Sequence, residues 1–83
     1  MEKDDIFGLI KEEILSVLPL VNETDIKPEA KLFDLGANSI DRSEIAINCM
    51  AKLKVKIDPL TLSKIKNIGE LQNALYTAMN VLQ

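Results

Sequence analysis

Eighty-three residues allow one small domain, 1–83, whose core is limited, so helix caps and apolar periodicity must specify much of the fold. Aliphatic residues dominate and tryptophan is absent, which favours a helical bundle over a sheet. With no histidine and one cysteine, His-based acid–base pairs, triads, His metal ligands and an intramolecular disulfide are excluded, and a net charge of −3 argues against a nucleic-acid partner.

The first predicted element is a helix over residues 4–18. Ile6, Ile10, Glu13 or Ile14, and Val17 follow helical spacing, with Phe7, Leu9 and Leu18 widening the stripe. Asp4 and Asp5 suit its start, and Pro19 ends it. The charged N-terminal stretch does not read as a signal peptide, and no apolar run is long enough to span a bilayer. The expectation is a cytoplasmic protein with no membrane partner.

Residues 20–38 form a long connection. Val21, Ile26, Leu32, Phe33 and Leu35 are spaced as anchors that pin it across a bundle, with a short helical turn expected at 28–31. Charge divides near its end. Residues 1–38 hold four lysines and nine acids, net −5; residues 39–83 hold six Lys/Arg and four acids, net +2.

The connection ends in Asp34-Leu35-Gly36-Ala37-Asn38-Ser39-Ile40-Asp41. Gly36 can take the positive φ of a sharp reversal. Asn38 is a good N-cap, and Asp41 three residues on suits the first turn. Ser39 then starts a helix, where the dipole favours a negative group such as a phosphate ester. Read alone, Ser39 is also consistent with a simple capping role.

The second helix spans about 39–53 and carries two apolar stripes. Ile45, Cys49 and Leu53 form the predicted core face. Ile40, Ile47, Met50 and Ala51 lie opposite, and the stripe of Ile40, Ile47 and Met50 is the candidate docking face, unless neighbouring helices and the long loop bury both stripes. Cys49 is either a buried small hydrophobe or a nucleophile, and no base is evident near it in sequence. Asp34, Asp41 and Glu44 do not have the spacing of a calcium loop. Arg42 is free to touch a phosphate, to meet a partner's acid, or simply to face water.

Residues 52–57 alternate polar and apolar and are read as a helix end running into a loop, its lysines near the helix C-terminus or on a solvated face. Asp58-Pro59 opens a short helix over 59–64. Asn67-Ile68-Gly69-Glu70 has capping-box spacing. It opens a last helix to about 81 with Ile68, Leu71, Leu75, Ala78 and Leu82 on one face.

The run Asp34-Leu35-Gly36-Ala37-Asn38-Ser39-Ile40 resembles the phosphopantetheine attachment motif of acyl carrier proteins, which usually reads Asp-Leu-Gly-x-Asp-Ser-Leu. The likeness extends upstream through residues 26–30 and downstream to the last helix. It implies an all-α bundle of three main helices plus one short helix, with a long first loop. It also implies a monomeric carrier rather than an enzyme, with 4'-phosphopantetheine on Ser39. A phosphopantetheinyl transferase would supply that arm from coenzyme A, and the arm would hold an acyl thioester.

Residues 38–45 and 66–71 are similar to a narrower group, the free-standing donor carriers of polyketide β-branching cassettes. That similarity implies malonyl cargo decarboxylated to acetyl. Its partners would be an acyltransferase, a decarboxylating ketosynthase-like enzyme and a 3-hydroxy-3-methylglutaryl-synthase-like enzyme. Ile40, Asp41, Arg42, Ile47 and Met50 would then form the docking face. The glutamates common late in the second helix of fatty-acid carriers are replaced here by Met50, Ala51 and Lys52. A fatty-acid-type carrier, a peptidyl carrier and a structural helical adaptor are the alternatives.

Overall fold

The computed structural model describes residues 2–81, and among these it contains helices and no strands. The elements are α1 (Lys3–Val17), α2 (Ser39–Leu53), α3 (Pro59–Lys64) and α4 (Ile68–Val81), with two 3₁₀ turns, Glu23–Asp25 and Phe33–Leu35, in the long connection. The expected all-α bundle with three long helices and one short helix is what forms. Leu82, assigned above to the core face of α4, lies outside the described residues.

Helix α1 packs against both α2 and α4. Its i, i+4, i+8 series Ile6, Ile10 and Ile14 is fully buried, meeting Ile45, Ala46 and Cys49 of α2 and Ile68, Leu71 and Leu75 of α4. Ile26 and Val55 complete the core from the loops. Glu13 is buried too, and its carboxylate pairs with Lys52 of α2. Lys52 is therefore neither a simple solvated lysine nor only a helix-end charge.

The long connection is held by backbone as much as by side chains. The first two amides of α4, which have no intrahelical acceptor, donate instead to the loop. Ile68 N bonds Ala30 O at 3.0 Å, and Gly69 N bonds Pro28 O at 2.7 Å. A Cβ at position 69 would lie 3.1 Å from Pro28 O, so glycine permits this close approach. Asn67 Oδ1 caps the Glu70 amide as expected, but Glu70 Oε1 accepts from Lys66 N, one residue before the cap.

Two expectations for this connection are corrected. Residues 28–29 form a single turn closed by Ala30 N to Lys27 O at 3.0 Å, with no helical turn to residue 31, because Pro28 and Ala30 present their carbonyls to α4. Phe33 is not an anchor: it sits in a 3₁₀ turn and is 67% exposed, while Ile26 and the half-buried Leu32 and Leu35 point inward.

Helix α2 ends on Lys54, whose φ of 57° is left-handed. Lys54 N bonds Ala51 O at 3.3 Å and Val55 N bonds Met50 O at 3.0 Å, the paired closure that satisfies the last carbonyls of a helix. The chain then folds back over Met50. Val55 becomes buried, and Ile57 N lies 3.3 Å from Met50 Sδ.

Candidate functional site

The entry to α2 is built as the residue types dictate. Gly36 closes the second 3₁₀ turn at φ 100°. The buried Ala37 seats the chain against the bundle, and Asn38 then caps α2. Asp41 N donates to Asn38 Oδ1 at 2.8 Å and Asn38 N donates to Asp41 Oδ2 at 3.2 Å. This reciprocal box stabilises the helix start by about 1 kcal/mol and fixes where its first residue stands.

That first residue is Ser39, which is exposed. Arg42, one turn on, donates from Nη2 to Ser39 Oγ at 3.3 Å. The amides of Ser39 and Ile40 open the helix and so have no acceptor within it. An anion bonded to Ser39 Oγ would meet the positive end of α2 and a guanidinium together.

A groove of about 480 Å³ opens beside the serine, lined by α2, α3, Leu32 of the long connection and Leu71 of α4. Ser39, Arg42 and Ser43 line it together with Ala46, Ile47 and Leu62. The volume lies in the range of small-molecule sites, and its lining is mainly apolar. An exposed hydroxyl beside such a groove fits a flexible arm attached to Ser39 with an apolar portion to shelter. Sequence periodicity places Ile47 on an apolar stripe of α2 but gives no sign that the α2–α3 crossing leaves space beside it.

Of the proposed docking residues, Ile40 is 75% exposed and Ile47 57% exposed. Leu60, at 66%, is a further exposed apolar residue, on α3. Asp41 is committed to the cap and Arg42 to Ser39. Met50 does not belong with the exposed stripe. It is half-buried and packs on the core, because the chain after α2 covers it.

Cys49 is fully buried, and burial first, then the charge of Glu13, pushes its thiol up to about 12, with Lys52 opposing. It is a small core side chain and not a nucleophile at neutral pH. Among the described residues no cluster of potential metal ligands exists, and no helix is long and apolar enough to cross a membrane.

Comparison with known proteins matches residues 8–75 to the family described as the phosphopantetheine attachment site. The chain is 42% identical over 76 residues to the polyketide biosynthesis acyl-carrier-protein AcpK of Bacillus subtilis (strain 168), spanning 92% of this chain and 93% of that one. It is 34% identical over 70 residues to the acyl carrier protein of Thermotoga maritima, spanning 83% and 85%. It is also 29% identical over 70 residues to the non-reducing polyketide synthase adrD of Penicillium rubens, where the match spans 84% of this chain and 3% of that protein.

Proposed function

The chain belongs to the acyl carrier protein family, and on that premise we propose that Ser39 is its point of attachment for 4'-phosphopantetheine and that it donates an acetyl group in polyketide β-branching. As a member of this family it is a carrier and not a catalyst, and it works with a phosphopantetheinyl transferase and with acyltransferases or ketosynthases. When attached, the arm supplies a terminal thiol that carries acyl groups as thioesters.

The observation that carries the serine assignment is positional. Ser39 is the exposed first residue of α2, fixed by the Asn38–Asp41 box and facing the groove. Its Oγ would form a phosphodiester with the pantetheine phosphate of coenzyme A. The bond to the adenosine bisphosphate breaks, that group departs, and the hydroxyl proton is lost to the transferase. Arg42 and the α2 N-terminus are placed to stabilise the resulting negative charge. Incubation with coenzyme A and a broad-range transferase tests this by intact mass. One phosphopantetheine should be added, and Ser39→Ala should abolish it. Addition mapped to Ser16, Ser43 or Ser63 would refute the assignment.

The β-branching reading is supported by the likeness to a polyketide carrier and by Met50, Ala51 and Lys52 standing late in α2, where fatty-acid carriers commonly have glutamates. Its partners would be an acyltransferase that loads malonyl, a decarboxylating ketosynthase-like enzyme, and a 3-hydroxy-3-methylglutaryl-synthase-like enzyme that accepts acetyl. The chain acts as a monomer in this scheme. Transfer of acetyl from the loaded protein to such a synthase tests it, and failure with efficient acyl-chain elongation instead would favour a fatty-acid role. The second reading has its own support in the Thermotoga maritima likeness and the apolar groove.

A further inference from the structure

We propose that a second groove beside Arg42 holds the charged end of a carboxylated acyl cargo while the arm is at rest, a proposal that rests on Ser39 bearing the arm. This groove, of about 250 Å³, is lined by Lys31, Arg42 and Lys66 together with Phe33 and Asn67. No carboxylate lines it. Leu32, Arg42, Ile65 and Leu71 line both this groove and the larger one that Ser39 faces, so the two spaces adjoin.

The two grooves differ in what they can hold. Arg42 is the one charged side chain lining the larger groove, whose other lining is apolar groups and serine hydroxyls. A carboxylate placed deep in it would lose water without enough compensation. The smaller groove offers three cations and the Asn67 amide. Of the acids close to this lining in sequence, Glu29 and Asp34 do not line the groove, Asp41 is held in the α2 cap by Asn38 N, and Glu70 is turned to the backbone, its Oε1 accepting from Lys66 N at 2.7 Å.

The cations are also held in relation to one another. Lys31 follows the loop segment whose Pro28 and Ala30 carbonyls accept from Gly69 and Ile68, and Lys66 immediately precedes that end of α4. The same backbone bonds that pin the long connection therefore keep Lys31 and Lys66 on one groove. Charge complementarity then selects the occupant. A malonyl-type terminus is retained, whereas acetyl, whose carboxylate has left as CO₂ and been replaced by a proton, has nothing for these cations to hold. Loss of the charge frees the thioester for the next enzyme.

The test compares holo protein with protein carrying hydrolysis-resistant amide analogues of acetyl, malonyl and acetoacetyl, each state confirmed by intact mass. Acetoacetyl matches malonyl in size but carries a methyl group in place of the carboxylate oxygen. Malonyl should shift the backbone amides of Lys31, Phe33, Lys66 and Asn67 several-fold more than acetyl or acetoacetyl does. That difference should shrink with added salt and vanish in the Lys31→Gln, Lys66→Gln double variant. Equal shifts for malonyl and acetoacetyl, shifts already complete in the holo protein through its phosphodiester, or no shift in any state would overturn the proposal. Absence of loading at Ser39 would overturn the carrier assignment as well, and it shows in the mass spectrum before any shift is read.

Discussion

Arg42 reaches back one turn along α2 so that its Nη2 donates to Ser39 Oγ across 3.3 Å. The i, i+3 spacing puts both residues on one helical face. The bond is long and its acceptor neutral, so it contributes at most about 1 kcal/mol. The same guanidinium facing a phosphodiester would meet a charged acceptor and make a stronger, ion-paired contact.

Arg42→Ala should therefore slow attachment of the arm only a few-fold, about what 1 kcal/mol provides, and leave the fold intact. Arg42→Lys should fall between the two, since an ammonium keeps the charge but loses the planar fork. Initial rates of mass gain with a fixed amount of transferase measure this. Wild-type rates for Arg42→Ala would remove Arg42 from the attachment site.

Cys49 predicts an alkaline limit to stability. Its thiol ionises near the ordinary 9.0 in the unfolded chain and near 12 when buried in the native protein. Below pH 9 both states hold the proton, and the stability this burial permits is fully present. Above pH 9 the unfolded chain loses the proton first and gains stability, so folding weakens as pH rises toward 12, by on the order of 1 kcal/mol per unit. Urea midpoints should decline through this range, and Cys49→Ala should flatten the decline while lowering stability at neutral pH through the lost sulfur. Identical alkaline slopes for both proteins would contradict the buried-thiol account. Thiol reagents should label native Cys49 far more slowly than unfolded protein.

What was legible in the chain was whatever local chemistry fixes. The starts of α2 and α3 follow from Asn38, Asp41, Asp58 and Pro59, each acting within one turn of itself. That Ser39 starts α2 is legible because a glycine reversal and a cap precede it, whereas its proposed role as attachment point comes from the resemblance of the surrounding motif. Relations set by tertiary packing were not. Met50 shares a helical period with Ile47, but the left-handed Lys54 folds the chain back over it, and periodicity carries no trace of that return. Phe33 looked like an anchor by type, yet the 3₁₀ turn presents it to solvent. The pairing of Glu13 with Lys52 spans two helices, so neither residue's neighbours in sequence announce it. The grooves beside Ser39 arise from how α2, α3 and the long connection cross.

The Glu13–Lys52 pair gives a prediction of its own. Glu13 is buried on α1 and its partner on α2 is half-exposed, so removing the lysine strands a carboxylate in the core. Lys52→Ala should lower thermal stability clearly, and adding Glu13→Leu to it should recover much of the loss, because two apolar side chains need no partner. Loss of stability that simply adds across the two substitutions would show that the pair is not coupled. The hydrogen bond to Glu13, opposed by some desolvation, raises the Lys52 pKa above its ordinary 10.5. Its contribution is therefore complete below pH 10.5 and is lost as pH rises through the higher native value, starting later than the decline from Cys49.

The proposed docking face consists of the exposed apolar side chains that border Ser39. Ile40 and Ile47 are exposed on α2, so an aspartate at either position costs the free protein little. In a complex, the same aspartate would be buried against apolar surface with no partner, and affinity would fall. Ile47→Asp should impair acetyl transfer to the synthase-like enzyme while melting near the wild-type temperature. Met50→Glu is not an equivalent probe. Its charge would enter a half-buried site covered by Val55 and Ile57, so it should lower stability as well as transfer. Salt separates apolar docking from electrostatic docking. Binding through Ile40 and Ile47 should change little as salt rises, whereas charge-steered binding weakens. Titration of the holo protein with the proposed synthase-like partner at low and high salt reads the difference. A steep loss with salt, combined with normal transfer by Ile47→Asp, would place recognition on charged groups and remove these two isoleucines from it.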